Sequence, residues 1–299
     1  MRRGRVIVVI ALLSISALLV SCYFYFLTPV DRKSIWQSSN SISHDGRERS
    51  YRVVTPRNYQ QEVDHPLVIM LHGYRDRGKQ IEFYSGMSNL AEQENFIALY
   101  PEGLSRSWNG DFCCGRAWQN NVDDVGFIET LVEQVTKDYQ VDTEKIFVAG
   151  FSNGGILAQK LVNERPGKFA GAAIVMSGSG TDQQSLQISS SRTPMLFMHG
   201  ERDTYVPLND ESPVRSGFNF TTQNETIAEW SQAQRCNPTP QTTESDTFTK
   251  ATYECEESTL ISYIYKNTPH QWPQWRIKNL TQAIPGSTQL IWDFWQKQP

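Results

Sequence analysis

Five short apolar runs recur along this chain, each closed by glycine or proline: "PLVIMLHG", "FIALYPEG", "KIFVAG", "AGAAIVMSG" and "TPMLFMHG". Apolar side chains at nearly every position, rather than at every second one, belong to strands covered on both faces, and such strands pair in parallel. Parallel neighbours need a long crossover, and segments with helical spacing stand in the gaps. The clearest is "DDVGFIETLVEQVTKDY", with Val125, Ile128, Leu131, Val132 and Val135 on one stripe and Asp123 and Asp124 near its start. "RSYRVVTP" reads as an early strand, "LISYIYKN" as a late one, and "GSTQLIWDFWQKQ" as a closing amphipathic helix. The expected fold is α/β, a mostly parallel central sheet with helices on both faces. With 299 residues, 39% of them hydrophobic, a sizeable core is available. No repeat or second hydrophobic pattern interrupts the series, so residues 47–299 are expected to form one domain. The polar stretch from about Pro207 to Cys236 reads as an insertion near the strand ends.

The first thirty residues are of another kind. Arg2, Arg3 and Arg5 precede the uncharged run "VIVVIALLSISALLV", the layout of a bacterial export signal. Leu19-Val20-Ser21-Cys22 resembles a lipobox, in which Cys22 would be lipidated. The apolar run also continues through "YFYFLTPV", long enough for an uncut membrane anchor with the arginines kept inside. Either way residues 47–299 are expected at the outer face of a membrane. Residues 31–46, polar and rich in serine, read as a tether.

Beyond residue 30 the chain carries 25 basic against 32 acidic side chains and shows no basic stripe, which argues against nucleic-acid binding. A mildly acidic domain suits a small, neutral or apolar substrate. Setting Cys22 aside, four cysteines remain. An oxidising compartment allows a Cys236–Cys255 bridge that closes a polar loop with little else to hold it. The neighbours Cys113 and Cys114 bridge each other only with strain, so their state stays open. No histidine stands at ligand spacing from either pair, so a zinc site is the weaker reading, and no metal or cofactor is expected.

Between the run "KIFVAG" and the following helical segment lies Gly150-Phe151-Ser152-Asn153-Gly154. A strand–turn–helix with Gly-x-Ser-x-Gly is the nucleophile elbow of α/β hydrolases, where the turn is too sharp for larger neighbours. A serine hydroxyl needs a base and an acid that orients the base, in chain order Ser, Asp or Glu, His. Only His199 and His270 follow Ser152. His199 precedes any acid that serves it in that order, whereas His270 follows the late strand. Asp182, Asp203, Asp210 and Asp246 are candidate acids, and Asp203 is best placed, in the turn after "PMLFMHG". The Asn153 amide and the Tyr74 amide, in "LHGYRDRG", are the expected oxyanion donors. His72 reads as loop support.

Assembled, these residues resemble the secreted α/β-hydrolase esterases known as polyhydroxybutyrate depolymerases, which overlap with feruloyl and acetyl-xylan esterases. The resemblance runs from about Tyr51 to Trp295 and rests on "LHGY", "YPEG", "WNGDFCCGRAW", "VDDVGFIETLV", "VAGFSNGGILAQKL", "FMHGERDTYVP" and "PHQWP". It implies Ser152 as nucleophile, Asp203 as acid and His270 as base. The family's glycines before the histidine and after Trp-Pro are replaced here by Thr268-Pro269 and Gln274. The expected activity is hydrolysis of a carboxylic ester through an acyl-enzyme. An acyltransferase on the same residues, or a surface binding module that keeps the fold, are the alternatives. Tyr74, Trp108, Trp118 and Trp272 are candidates to line a cleft for a feruloyl ring, a sugar or a polyester chain, or equally to be core, with Trp108 and Trp272 taken as substrate-binding.

Overall fold

The computed structural model describes residues 40–181, 184–189, 191–215, 217–273 and 286–298. Its strands are β1 Asn40–His44, β2 Arg47–Val54, β3 His65–Leu71, β4 Ile97–Pro101, β5 Val141–Phe151, β6 Gly171–Val175, β7 Met195–Gly200, β8 Gln241–Glu244, β9 Phe248–Glu254 and β10 Thr259–Tyr265. Its helices are α1 Gly78–Ser85, α2 Met87–Glu94, α3 Gly115–Gln119, α4 Asp124–Asp138, α5 Asn153–Glu164, α6 Gln223–Ala233 and α7 Ser287–Trp295. The strands form one sheet in the order β1-β2-β4-β3-β5-β6-β7-β10-β9-β8. The run from β4 to β10 is parallel throughout, and the pairs at both edges are antiparallel.

The continuous apolar runs are explained by what covers each face. Side chains alternate across a strand. In β3, Leu67, Ile69 and Leu71 join Phe127, Leu131 and Leu161 of α4 and α5 in one core. Val68 and Met70 point the other way, into a second core with Ile81, Leu90, Trp292 and Trp295 of α1, α2 and α7. Burying each such aliphatic side chain contributes on the order of 2 kcal/mol, and neither face can be polar. This is the mostly parallel sheet with helices on both faces expected from the strand pattern.

Three expectations change. Residues 40–46 are not tether: Asn40–His44 pairs with β2, Asn40 facing Tyr51 and His44 facing Arg47. Asp45 and Gly46 turn the chain with φ of 51° and 68°, the two-residue hairpin that Asp-Gly favours. The segment between Cys236 and Cys255, read as a polar loop with little else to hold it, is held in the sheet, because it carries β8 and β9. The third change is at Cys113 and Cys114, which are joined to each other. Cys236 and Cys255 are paired as expected. Within the stretch read as an insertion, α6 starts at a capping box in which Thr222 Oγ1 accepts from the Glu225 amide and Glu225 accepts from the Thr222 amide. The apolar run at the N-terminus, Cys22 and residues 31–39 lie outside the described residues, as do Asp182 and Gln274. Among the described residues no helix is long and apolar enough to cross a membrane.

Candidate active site

β5 ends at Phe151 and α5 begins at Asn153, leaving Ser152 alone in the turn with φ 53° and ψ −120°. L-residues rarely adopt that conformation, and it is held because the surroundings allow no other. The Ser152 amide donates to the Val175 carbonyl at 2.8 Å, pinning the turn to β6. A Cβ on Gly150 would overlap the Gly154 carbonyl, and one on Gly154 would overlap the Leu71 carbonyl. Both glycines of the motif are therefore demanded by the approach of helix to strand.

The loops that leave the carboxyl ends of β7 and β10 bring two more residues to the serine. Asp203 is fully buried, and its Oδ1 accepts from the amides of Tyr205 and Val206 at 2.8 and 3.0 Å. Its Oδ2 accepts from His270 Nδ1 at 2.7 Å, and His270 Nε2 accepts from Ser152 Oγ at 3.0 Å. Burial alone would raise the Asp203 carboxyl. The hydrogen bond and charge of His270, with His199 and the Val206 amide, outweigh it and hold the group below its ordinary range. Such a chain of contacts can draw the proton from Ser152 Oγ and stabilise the imidazolium that results. Asp210 and Asp246, the other described candidates, are exposed and bond to neither histidine.

His270 sits on a loop without the glycines its resemblance would lead one to expect, yet the loop is well tied. The Arg202 amide donates to the Thr268 carbonyl at 2.9 Å, and the Asn267 amide donates to Glu201 Oε2 at 2.9 Å. The compensating glycine is on the opposite strand, since a Cβ at Gly200 would overlap the Thr268 carbonyl. Phe151 and Tyr205 flank the imidazole, with ring centroids 5.1 and 5.0 Å away.

His199 is fully buried beneath this group, 3.6 Å from Asp203 Oδ2, and its Nε2–H donates to the Val206 carbonyl at 3.0 Å. Burial pulls its pKa down to about 4 against the pull of Asp203, so it is neutral and braces the turn that presents the carboxylate. His72 is also neutral, lowered to about 4 by burial. Its Nδ1–H donates to the Gly73 carbonyl at 2.8 Å and its Nε2 accepts from the Gly103 amide at 2.9 Å. It supports the loop, as expected.

That loop brings Gly73 against Ser152: a Cβ placed there would stand 3.5 Å from Ser152 Cβ. Among the described residues the amides of Tyr74 and Asn153 have no acceptor, which leaves both available to an oxygen above Ser152. What sets their positions is Trp108. Its Nε1–H donates to the His72 carbonyl at 2.9 Å, its amide donates to Asn153 Oδ1 at 2.7 Å, and its carbonyl accepts from Asn153 Nδ2 at 3.0 Å. One residue thus clasps both halves of the donor pair. Behind it, Asp124 Oδ2 accepts from the Asn109 amide at 2.7 Å while Oδ1 pairs with the buried Arg49 at 2.6 Å. The motifs "WNGDFCCGRAW" and "VDDVGFI" therefore meet here as a brace.

Trp108 and Trp272 do not line the cleft, contrary to expectation. Trp108 is fully buried as the clasp, and Trp272 is 3% exposed, packed behind Tyr84 and Phe151 with its Nε1–H on Thr288 Oγ1 at 3.2 Å. The cleft of about 610 Å³ over Ser152 is walled instead by Tyr74, Arg75, Tyr84, Phe151 and Tyr205. Tyr205 was within reach of the sequence, two residues after Asp203. Tyr84 had no motif to mark it. Replacing Trp108 by phenylalanine should destabilise the chain by about 1–3 kcal/mol, because the buried His72 carbonyl loses its donor. Urea unfolding checks this, and an unchanged midpoint would show that the clasp holds nothing.

Comparison with known proteins gives a consistent picture. The sequence profile of the family described as "Esterase PHB depolymerase" matches residues 50–217. Feruloyl esterase C of Emericella nidulans is 29% identical over 178 residues, 57% of this chain and 60% of that protein. The bifunctional acetylxylan esterase/xylanase XynS20E of Neocallimastix patriciarum is 24% identical over 158 residues, 53% of this chain but 22% of its own. The chain therefore spans less than two thirds of these relatives. An acetyl xylan esterase structure from Aspergillus awamori superimposes with a TM-score of 0.63 at 17% identity, covering 87% of this chain and 99% of that one, a likeness of fold.

Proposed function

Because the chain belongs to the family of esterases of the PHB depolymerase type, we propose that it hydrolyses carboxylic esters through an acyl-enzyme on Ser152. His270 Nε2 takes the hydroxyl proton as Oγ attacks the ester carbonyl, and Asp203 keeps the imidazole oriented and offsets its positive charge. The amides of Tyr74 and Asn153 receive the oxyanion. Collapse of the tetrahedral intermediate expels the alcohol with the proton from His270, and water repeats the sequence to release the acid. The 3.0 Å contact from Ser152 Oγ to His270 Nε2, continued at 2.7 Å to Asp203, is the observation that carries this reading.

The substrate class proposed is a hydroxycinnamoyl or acetyl ester of a polysaccharide, or a hydroxyalkanoate polyester, following the relatives' named substrates. Export to the outer face of a membrane is proposed from the arginine-flanked apolar run at the N-terminus and the Cys236–Cys255 bridge. Lipidation at Cys22 is one form of the anchor. A fluorophosphonate probe should label the purified chain at Ser152, and labelling should abolish release of p-nitrophenol from p-nitrophenyl acetate. A folded chain that neither takes the label nor turns over the ester refutes the assignment and favours a binding module.

A further inference from the structure

Against the acidic balance of residues 31–299, the wall of the cleft carries a basic side chain, Arg75, beside Asp76. Among the described residues, Arg75 is the one arginine or lysine on the cleft wall. It is exposed but fixed: its φ is 63°, its amide donates to the Arg106 carbonyl at 2.8 Å, and its guanidinium carbon lies 5.2 Å from the Tyr74 ring centroid. The backbone bond joins to the cleft a second loop, where Ser105 and Arg106 are also left-handed, with φ of 52° and 61°. Arg106 and Arg77 line an adjoining depression of about 350 Å³. Buried Arg49 also lines it, with an Nε that has no hydrogen-bond partner.

Acids are in excess in this chain, and several of its exposed arginines are matched. Arg47, Arg57, Arg165 and Arg235 each lie within 3.4 Å of a carboxylate. Among the described residues, Arg75, Arg77, Arg106, Arg116, Arg202 and Arg215 have no such partner, and of these Arg75 lines the cleft over Ser152. The two nearby acids are already committed. Asp76 accepts from Tyr84 Oη at 2.8 Å and from the Arg77 amide at 2.9 Å, and Glu102 accepts from the Gly78 amide at 2.9 Å. Burial pushes both carboxyls up against the pull of Arg106 and, at Glu102, of Arg77. A guanidinium with no ion-pair partner, on the wall of a cleft over a serine, suits a carboxylate, whose two oxygens match the guanidinium fork.

We infer that the cleft takes esters bearing a free carboxylate a few bonds from the scissile bond, with Arg75 and Arg106 holding that carboxylate. This rests on the esterase reading and narrows it from neutral esters to anionic ones, the acid end of a short hydroxyalkanoate oligomer or an acidic sugar beside an acylated one. The positive rim also raises the encounter rate with such substrates, an effect that added salt suppresses.

Two matched ester pairs test it on the purified chain. Monomethyl adipate against methyl hexanoate puts the charge in the acyl part. 3-Acetoxybenzoate against phenyl acetate puts it in the alcohol part. In at least one pair, kcat/KM at low ionic strength should favour the charged ester by about tenfold, the scale of a charge-assisted hydrogen bond. That ratio should fall towards one in 0.5 M sodium chloride (roughly a 4 Å screening length) and in the Arg75→Gln and Arg106→Gln variants. The Arg57→Gln variant, at a remote paired arginine, should keep the wild-type ratio. Turnover of the neutral esters with no preference for charge in either pair overturns the inference and leaves the esterase standing. A ratio insensitive to both arginine variants overturns it as well. No turnover of any of the four esters sinks the esterase reading itself.

Discussion

Ester turnover is expected to fall by roughly five to six orders of magnitude in the S152A variant, to the level supplied by binding and the oxyanion donors alone. The fold should survive, because Ser152 is only partly buried and its side chain makes one described contact, the hydrogen bond to His270. A second substitution separates chemistry from strain. Alanine keeps the Cβ that φ 53° and ψ −120° disfavour, whereas glycine adopts that region freely. S152G should be as inactive as S152A yet more stable than it by about 1 kcal/mol. Initial rates with p-nitrophenyl acetate and urea midpoints measure both. S152A retaining a tenth of the activity would remove Ser152 from the mechanism. Equal stability of the two variants would mean that the turn is not strained, leaving the nucleophile assignment untouched.

The parts of this fold visible in the sequence were those where burial leaves a pattern. β3 and β5 are apolar at consecutive positions because α4 and α5 lie on one side and α1, α2 and α7 on the other. β1 and β8 carry no such mark. Every residue of β8 is exposed and β1 alternates between half-buried and exposed, so their membership in the sheet is a matter of backbone hydrogen bonds that any polar sequence can make. The Asp45-Gly46 hairpin was the one local signal for β1, and the serine-rich surroundings hid it. At the site, Ser152, Asp203 and His270 could be found because chain order and strand ends restrict where each can stand. The two tryptophans could not be placed, because an indole in a motif looks the same whether it meets a ligand or clasps a loop. Arg75 and Tyr84 come to the cleft through the path of the chain after β3, which no periodicity records.

Acid should destabilise this protein before its carboxylates titrate. His72 and His199 are both held neutral by burial, with pKa values of about 4 in the folded chain against an ordinary 6.5. Below pH 6.5 the unfolded chain binds a proton at each and the folded chain does not, so stability falls as the pH drops from about 6.5 towards 4. When complete, the loss is on the order of 3 kcal/mol per histidine. Asp203 adds to it further down, since its lowered carboxyl favours the folded state only while ionised. Asp76, Glu102 and Asp124, raised by burial, work in the opposite sense and flatten the lower part of the window as they take up protons in the folded state. The steepest loss therefore belongs between pH 6.5 and about 5, with unfolding free energies from urea titrations dropping by a few kcal/mol over that interval. Imidazole chemical shifts of the two buried histidines give an independent reading on the wild-type chain: both should remain those of the neutral ring at pH 5.5. A stability curve that is flat or rising on acidification through this interval, or a protonated His199 at pH 5.5, would show that the imidazole beneath Asp203 is charged in the folded protein. The brace under the carboxylate would then be an ion pair rather than a neutral hydrogen-bond donor.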